Sequence, residues 1–426
     1  MDSVNLDILP RRAEAQLKEL IRDEAVIAIH GPRSVGKSTV LRRFAAEHGV
    51  EVIDLDDLVV RDAVAANPTA SVSGEAPLCI DEYQYVPQVL DALKARLNRE
   101  GTRPGLAVLT GSTRQDAVPR TAQALTGRLH SLVILPFSQG EINGVHENLV
   151  PALLEDPEAA VMAHPTSVLT RSDYAELITA GGFPLALQRT GSARNRWFDN
   201  YVRTTIDRDA MELARIGQRQ ALAELLSLAA GRSAQVLNVT SLANRLQVDR
   251  RTVESYLRLL EDLFLVFRLP AWGKTLNARA TGSPKVHMVD AGLAARLLRI
   301  GPEKLAGLDP AVLTEFGHLL ETFVVGELLK QVSWLDESVT VGHWRTSDGD
   351  EVDLVLEFED GRVLAFEVKA GERISGSDFR GLSKLRDALG SRFVAGVVLG
   401  LGSRSYSPAA ERMHVMSIER LWRPMG

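Results

Sequence analysis

The sequence holds a single cysteine, Cys79, among 426 residues. One thiol excludes an intrachain disulfide framework and a multi-thiolate zinc site. No apolar run approaches the ~18 residues that a membrane-spanning helix needs. There is no H-E-x-x-H motif and no Cys–His nucleophile pair, and the histidines are scattered. No internal repeat or low-complexity tract interrupts the chain. The opening residues, Met-Asp-Ser-Val-Asn-Leu-Asp, carry no hydrophobic signal core, so a cytoplasmic protein is expected. What remains is ordinary globular composition, 45% hydrophobic and 24% charged. The length predicts two or three domains. The net charge of −6 means that nucleic-acid binding would need local clustering of basic residues.

Three compositional blocks follow one another. In residues 1–142, apolar runs at 26–30, 50–54, 78–81, 106–110 and 132–135 alternate with helical patterns. Continuous apolar strands separated by helices predict a parallel sheet covered on both faces. Residues 143–170, with Gly144, Pro151, Pro157 and Pro165, read as a linker or insertion. A helical lid-like segment is expected over 171–230 and a winged-helix domain over 231–300. Residues 301–426 begin with a helix near Glu315. Strands are expected at 339–346, 351–357 and 363–368, then an apolar run at 393–399. The fold class is therefore α/β.

Gly31-Pro32-Arg33-Ser34-Val35-Gly36-Lys37-Ser38 fits G-x-x-x-x-G-K-[ST], between an apolar strand and a helix starting at Thr39. In this motif, backbone N–H groups converge on phosphate oxygens at a helix N-terminus. Residues Gly31 through Thr39 are the expected nucleotide contacts. Lys37 would reach the β- and γ-phosphates, and Ser38 would hold Mg²⁺. The strand Leu78-Cys79-Ile80-Asp81 ends in Asp81 and Glu82. Asp81 would bind Mg²⁺ through water, and Glu82 would orient and deprotonate the attacking water. ATP and Mg²⁺ are the expected cofactors. A further apolar strand ends in Thr110-Gly111-Ser112-Thr113, and Gly127-Arg128 precedes the next.

This order of motifs resembles the AAA superfamily. The resemblance implies a γ-phosphate sensor at Thr110 or Ser112. It also implies an arginine finger, with Arg128 the first choice and Arg114 and Arg120 its rivals. A finger acting in trans implies a homo-oligomer, such as a ring. Three downstream stretches are Gly181-Gly182-Phe183-Pro184, the 259–266 apolar run and Lys285-Val286-His287-Met288-Val289-Asp290-Ala291-Gly292-Leu293. With them the chain resembles AAA-type ATPases fused to a domain of unknown function (number 4143). Gly181–Pro184 is expected either to touch the nucleotide or to form a sharp helix-boundary turn.

Asn238–Leu246, a short turn, and a second helix from Arg250 capped by Asp249 make a helix-turn-helix pattern. The second helix would present Arg250, Arg251, Thr252, Ser255 and Arg258 to DNA. Residues 232–285 carry nine Lys/Arg against four Asp/Glu, a local charge of +5. Packing or protein interaction is the alternative use of such a unit.

Glu351-Val352-Asp353-Leu354 begins a strand, and Phe366-Glu367-Val368-Lys369 follows thirteen residues after Asp353. Two adjacent strands would bring Asp353 and Glu367 together on Mg²⁺. Lys369, two residues on, would face the same site. The spacing resembles the PD-(D/E)XK nuclease-like fold, in its branch that cuts branched DNA. The resemblance implies a helical acid at Glu321, with Glu327 a weaker candidate. Three functions are open: an ATP-driven enzyme acting on DNA, branched or processed, in repair or recombination; a nucleotide-controlled switch for a protein partner with an inert nuclease-like domain; or a regulator of transcription through the winged helix.

Overall fold

The computed structural model describes residues 9–113, 125–209, 219–273 and 282–423. The chain is an α/β protein with an N-terminal parallel sheet, a helical segment and a C-terminal mixed sheet.

The first sheet comprises β1 (Val26–His30), β2 (Val52–Asp54), β3 (Leu78–Asp81), β4 (Ala107–Gly111) and β5 (Leu129–Val133). All are parallel, in the order β2-β3-β4-β1-β5. The alternation of side chains along β1 explains why Val26 to Ile29 are all apolar. Ile27 and Ile29 pack with Val40, Leu41 and Phe44 of the Lys37–His48 helix. Val26 and Ala28 pack with Val89, Leu90 and Leu93 of the Gln88–Glu100 helix. Both faces are covered, so both sets of positions must be apolar. The expected runs at 26–30 and 78–81 coincide with β1 and β3. The run at 132–135 lies late relative to β5, whose first residues are Leu129, His130 and Ser131. As an edge strand β5 buries only part of its length, so its polar start escapes an apolar count.

Residues 143–170 are not a bare linker. They form helices Leu149–Glu155 and Pro157–Met162, with Leu149, Val150, Leu153, Ala160 and Val161 in the main core. Asp156 accepts from Ala159 N–H at 3.0 Å, and Pro157 sits at the first helical position. That proline starts a helix rather than marking a loop. The two helices pack on the C-terminal sheet.

The middle segment contains helices Arg219–Gly231, Val239–Leu246 and Arg250–Asp262. They pack on a small antiparallel sheet of β6 (Gln235–Val236), β7 (Val266–Leu269) and β8 (Lys285–Met288), ordered β6-β8-β7. Asn238 caps the first turn-flanking helix through Ser241 N–H at 2.9 Å. Asp249 caps the next through Thr252 N–H at 2.8 Å. Gln247, at φ 54, makes the left-handed turn between them.

The C-terminal sheet joins β9 (Val339–Arg345), β10 (Glu351–Phe358), β11 (Val363–Lys369), β12 (Phe393–Gly400) and β13 (Met413–Ser417). Its order is β13-β12-β11-β10-β9, antiparallel from β9 to β11 and parallel from β11 to β13. The Pro310–Val332 helix lies against it, and the Arg380–Leu389 helix packs over Val352, Val355 and Ala365. The middle segment shields the edge of β9: Trp272 N–H donates to His343 O at 2.6 Å and His343 N–H to Pro270 O at 2.9 Å. A Cβ on Gly342 would stand 2.7 Å from Pro270 O, so this backbone approach requires glycine.

Candidate functional site

The phosphate loop links β1, an interior strand between β4 and β5, to the Lys37–His48 helix. It therefore opens at the carboxyl edge, where the strand order reverses and ligands bind in such sheets. Gly31 (φ 148), Ser34 (φ 61) and Gly36 (φ 98) all have positive φ. A Cβ on Gly31 would stand 2.0 Å from Ile134 O. No side chain caps the helix. Its first-turn N–H donors are left for a ligand, at the positive end of the helix dipole. The buried Lys37 amine donates to Gly31 O at 3.0 Å and Pro32 O at 2.7 Å, folded over the loop. This donor set fits the phosphates of a nucleotide.

A cavity of about 330 Å³ opens over the loop, lined by residues 33–39, Arg11 and Glu82, and on the far side by Phe137, Pro184, Leu185 and Gln188. Gly181–Pro184 therefore leads into the cavity wall, and it also makes a tight boundary turn. Gly182 N–H donates to Asp290 at 2.7 Å, and Phe137 N–H donates to Gly182 O at 2.8 Å. Asp290 also caps the Ala291–Leu297 helix through Leu293 N–H at 2.8 Å. Two stretches of the sequence far apart in the chain thus clasp each other beside the cavity.

Asp81 and Glu82 stand at the end of β3, as expected. Glu82 has φ 54, a strained conformation for a residue with a side chain. Its N–H donates to Thr110 Oγ1 at 3.2 Å, and the Thr110 hydroxyl donates to Asp81. Thr110 is fully buried behind the acids and does not line the cavity. It orients the carboxylate pair. Ser112 accepts from Gln84 at 3.2 Å, and the Gln84 amide also donates to Glu82. Burial raises the Glu82 pKa above the ordinary carboxylate range, against the opposing charge of Lys37. Ser38 and Asp81 are the hard oxygen donors that would hold Mg²⁺.

Arg11 is a site residue that lies outside every motif. Its guanidinium donates to Val35 O at 2.5 Å, Leu135 O at 2.6 Å and Glu141 at 2.9 Å, and it stacks 4.2 Å from the Phe137 ring. It ties Val35 of the phosphate loop to Leu135 and Glu141. Arg128 is elsewhere: it precedes β5 at the amino edge of the sheet and donates to Asn98 at 2.6 Å. Five residues of strand, roughly 16 Å, separate it from its own phosphate loop. Arg114 and Arg120 lie outside the described residues. Glu327 is not in the nuclease-like cluster. It accepts from Gln139 N–H at 2.7 Å and pairs with Lys330 at 2.6 Å, joining the long C-terminal helix to the nucleotide domain.

Arg250, Arg251, Ser255 and Arg258 are exposed on the second helix of the helix-turn-helix, while Val253, Leu257 and Leu260 are buried beneath them. Thr252 differs from expectation: its hydroxyl donates to Asp249 at 2.8 Å, which ties it to the cap. Part of the local positive charge is also neutralised inside the protein. Arg268 pairs with Glu254 at 3.0 Å and Glu261 at 2.6 Å.

The four nuclease-like positions do converge. Asp353 and Glu367 lie on neighbouring strands, Glu321 on the long helix, and Lys369 pairs with Glu367 at 2.6 Å. A bulge in β10 between Val352 and Val355 aims Asp353 into the cluster. A fifth residue stands among them. Lys285 of β8 places its amine 2.9 Å from Asp353, 2.7 Å from Glu321 and 2.5 Å from Glu351. The other Asp353 oxygen accepts from Val368 N–H at 2.9 Å. Burial alone would lower the Lys285 pKa, but Asp353, Glu321 and Glu351 outweigh it and hold the ammonium above the lysine range. Burial, then the charge of Asp353, pushes Glu367 up to about 8. The same causes raise Glu321 well above the carboxylate range. Among the described residues, no group of three or more His, Cys, Asp or Glu is arranged to hold a metal ion. This arrangement does not fit Mg²⁺.

Residues 23–143 match a family described as AAA domain. Residues 171–304 match a domain of unknown function (DUF8612), and residues 316–421 another (DUF4143). The stretches at 181–184, 259–266 and 285–293 thus fall in the DUF8612 region, not in DUF4143, which is the C-terminal sheet domain. An uncharacterized protein of Mycobacterium tuberculosis is 27% identical over 365 residues, 84% of this chain and 73% of that one. An uncharacterized protein of Haemophilus influenzae is 24% identical over 300 residues, 68% of this chain and 65% of that one. A Walker-type ATPase of Pyrococcus abyssi covers 70% of this chain and 97% of its own, at 14% identity and TM-score 0.44. The RuvB Holliday junction branch migration motor of Thermotoga maritima covers 61% and 89%, at 20% identity and TM-score 0.29. The chain is thus similar to AAA domains over residues 23–143 and to the DUF4143 family over residues 316–421.

Proposed function

We propose that the chain hydrolyses ATP with Mg²⁺ at the phosphate loop and uses the cycle to act on DNA, branched or processed, in repair or recombination. The observation that carries the ATPase reading is the shared cavity. Glu82 and the loop donors line one side, and Pro184 and Gln188 of the following segment line the other. Mg²⁺, held by Ser38 and Asp81, would supply charge neutralisation of the transferring phosphoryl group. Glu82 takes the proton of the attacking water, and Lys37 neutralises the outer phosphates. The cavity wall is joined through Gly182 and Asp290 to the middle segment, the route by which a change at the nucleotide would reach the helix-turn-helix. Exposed Arg250, Arg251 and Arg258 form no ion pair with a described residue and support phosphate contact there. A neighbouring copy, in a ring or other homo-oligomer, would place Arg128 at a second nucleotide.

A specific observation favours a second reading, the nucleotide-controlled switch for a protein partner. Lys285 fills the acidic cluster, which suits a C-terminal module that does not cut. One experiment separates the two. ATP turnover with Mg²⁺ is measured alone and with linear or branched DNA, using Lys37→Ala as the blank. Lys37→Ala should lower turnover by about 10²-fold or more. Stimulation by DNA, strongest with branches, supports the DNA reading. Turnover indifferent to every DNA moves the assignment to the switch. Retained turnover in Lys37→Ala would overturn the site itself. No helix among the described residues is long and apolar enough to cross a membrane.

A further inference from the structure

We infer that Lys285 is the resident cation of the C-terminal acidic site: its ammonium takes the place of a divalent metal and clasps the middle segment to the nuclease-like sheet. This inference does not rest on the ATP or DNA readings.

The ammonium donates to Glu321 at 2.7 Å and Asp353 at 2.9 Å and pairs with Glu351 at 2.5 Å. A lysine amine has three N–H donors and no acceptor. Here three carboxylates surround it at 2.5–2.9 Å, from Glu321 on the long helix and from Glu351 and Asp353 on β10. Lys285 is 2% exposed. A buried ammonium is stable only when paired and hydrogen-bonded in this way. Its position is also fixed from behind. β8 is the middle strand of the small sheet, and Lys285 is in register with Val236 on one side and Leu269 on the other. The amine is thus carried into the cluster by a paired strand, not by a loop.

A divalent ion cannot share the site. Mg²⁺ binds oxygen at 2.0–2.1 Å, and its ligands would be the same Asp353 and Glu321 oxygens that face Lys285. Two cations within bonding distance of the same carboxylates repel each other strongly at low dielectric. One donor remains that a metal would use. The second Glu367 oxygen is buried with no hydrogen-bond partner among the described residues, while the first pairs with Lys369. The acids therefore form a cation cradle whose occupant is supplied by the protein. Withdrawing the ammonium would expose a site of hard oxygens, the class that takes Mg²⁺ or Mn²⁺.

The test uses the full chain without nucleotide and Mn²⁺ as the probe, read by electron paramagnetic resonance and by thermal unfolding. The wild type should bind no Mn²⁺ that Asp353→Asn or Glu367→Gln removes, and its unfolding midpoint should not move with Mn²⁺. One bound Mn²⁺ per wild-type chain, lost in either variant, would overturn the inference. Lys285→Met should unfold at lower temperature, gain one Mn²⁺ per chain, and recover stability as Mn²⁺ is added. A folded Lys285→Met that binds no Mn²⁺ would show that the carboxylates are no metal cradle, and would also overturn it. Should Lys285→Met stay unfolded even with Mn²⁺, the wild-type titration alone decides.

Discussion

Replacing Asp290 with alanine should loosen the nucleotide cavity from outside it. Asp290 is 5% exposed and accepts two backbone N–H groups, Gly182 at 2.7 Å and Leu293 at 2.8 Å. Loss of the helix cap costs about 1 kcal/mol. The Gly182 N–H is then left buried without a partner, at about 1–3 kcal/mol. The sum is a destabilisation of about 2–4 kcal/mol, read as a shift of the urea midpoint. Asp290→Asn should fall between, because one amide oxygen can serve one of the two donors while its NH₂ opposes the other. The same change should raise the KM for ATP, since Gly182 fixes the turn into Pro184 and Gln188 of the cavity wall. Stability within about 0.5 kcal/mol of wild type, as for an ordinary surface change, would refute the assigned bonds. A full loss of stability with unchanged KM would refute the link between this clasp and the cavity.

Glu147→Gln should remove a pH dependence of stability. Burial first, then Glu327 and Glu141, raise Glu147 from 4.5 to about 7. A carboxyl raised on folding contributes stability below its unfolded pKa and loses it as pH rises through the folded value. Wild type should therefore lose about 3 kcal/mol relative to the Gln variant between pH 4.5 and 8, checked by urea midpoints at each end. A constant difference would refute the burial argument. Arg250→Ala, Arg251→Ala and Arg258→Ala should each weaken DNA binding about equally across sequences, lower the salt slope by about 1, and leave the unfolding midpoint unchanged. Binding that ignores all three would remove DNA from the helix face.

The parts of the fold that sequence made legible are those whose cause is local. β1 and β3 are buried on both faces, so their residues are apolar up to His30 and Asp81 at the carboxyl ends, and the runs are visible. The caps at Asn238 and Asp249 are short-range bonds within three residues, and they mark both helices. The phosphate loop is dictated by backbone geometry that glycine alone permits at Gly31. Arg11 was not legible, because its acceptors on Val35, Leu135 and Glu141 come from segments joined only by folding. Residues 143–170 leave linker and insertion both open in the sequence for a different reason. Proline there signals a helix start as readily as a loop, and only the burial of Leu149, Leu153 and Val161 against the distant C-terminal sheet decides between them.

Lys285 shows most clearly why a charge census and a charge map differ. Along the sequence it counts toward the positive charge of the helix-turn-helix region. In the structure its partners are Glu321 and Asp353, 36 and 68 residues away, and the charge never reaches the surface. Arg268 is neutralised in the same way by Glu254 and Glu261. Among the described residues, the positive charge left exposed in this region is therefore less than the count implies, with Arg245, Arg250, Arg251 and Arg258 on the surface. The acidic spacing at Asp353 and Glu367 carries the converse ambiguity. It reports that carboxylates meet, which the fold bears out, but not which cation they meet around. That cation comes from a strand outside the C-terminal domain, so no motif confined to the domain can reveal it.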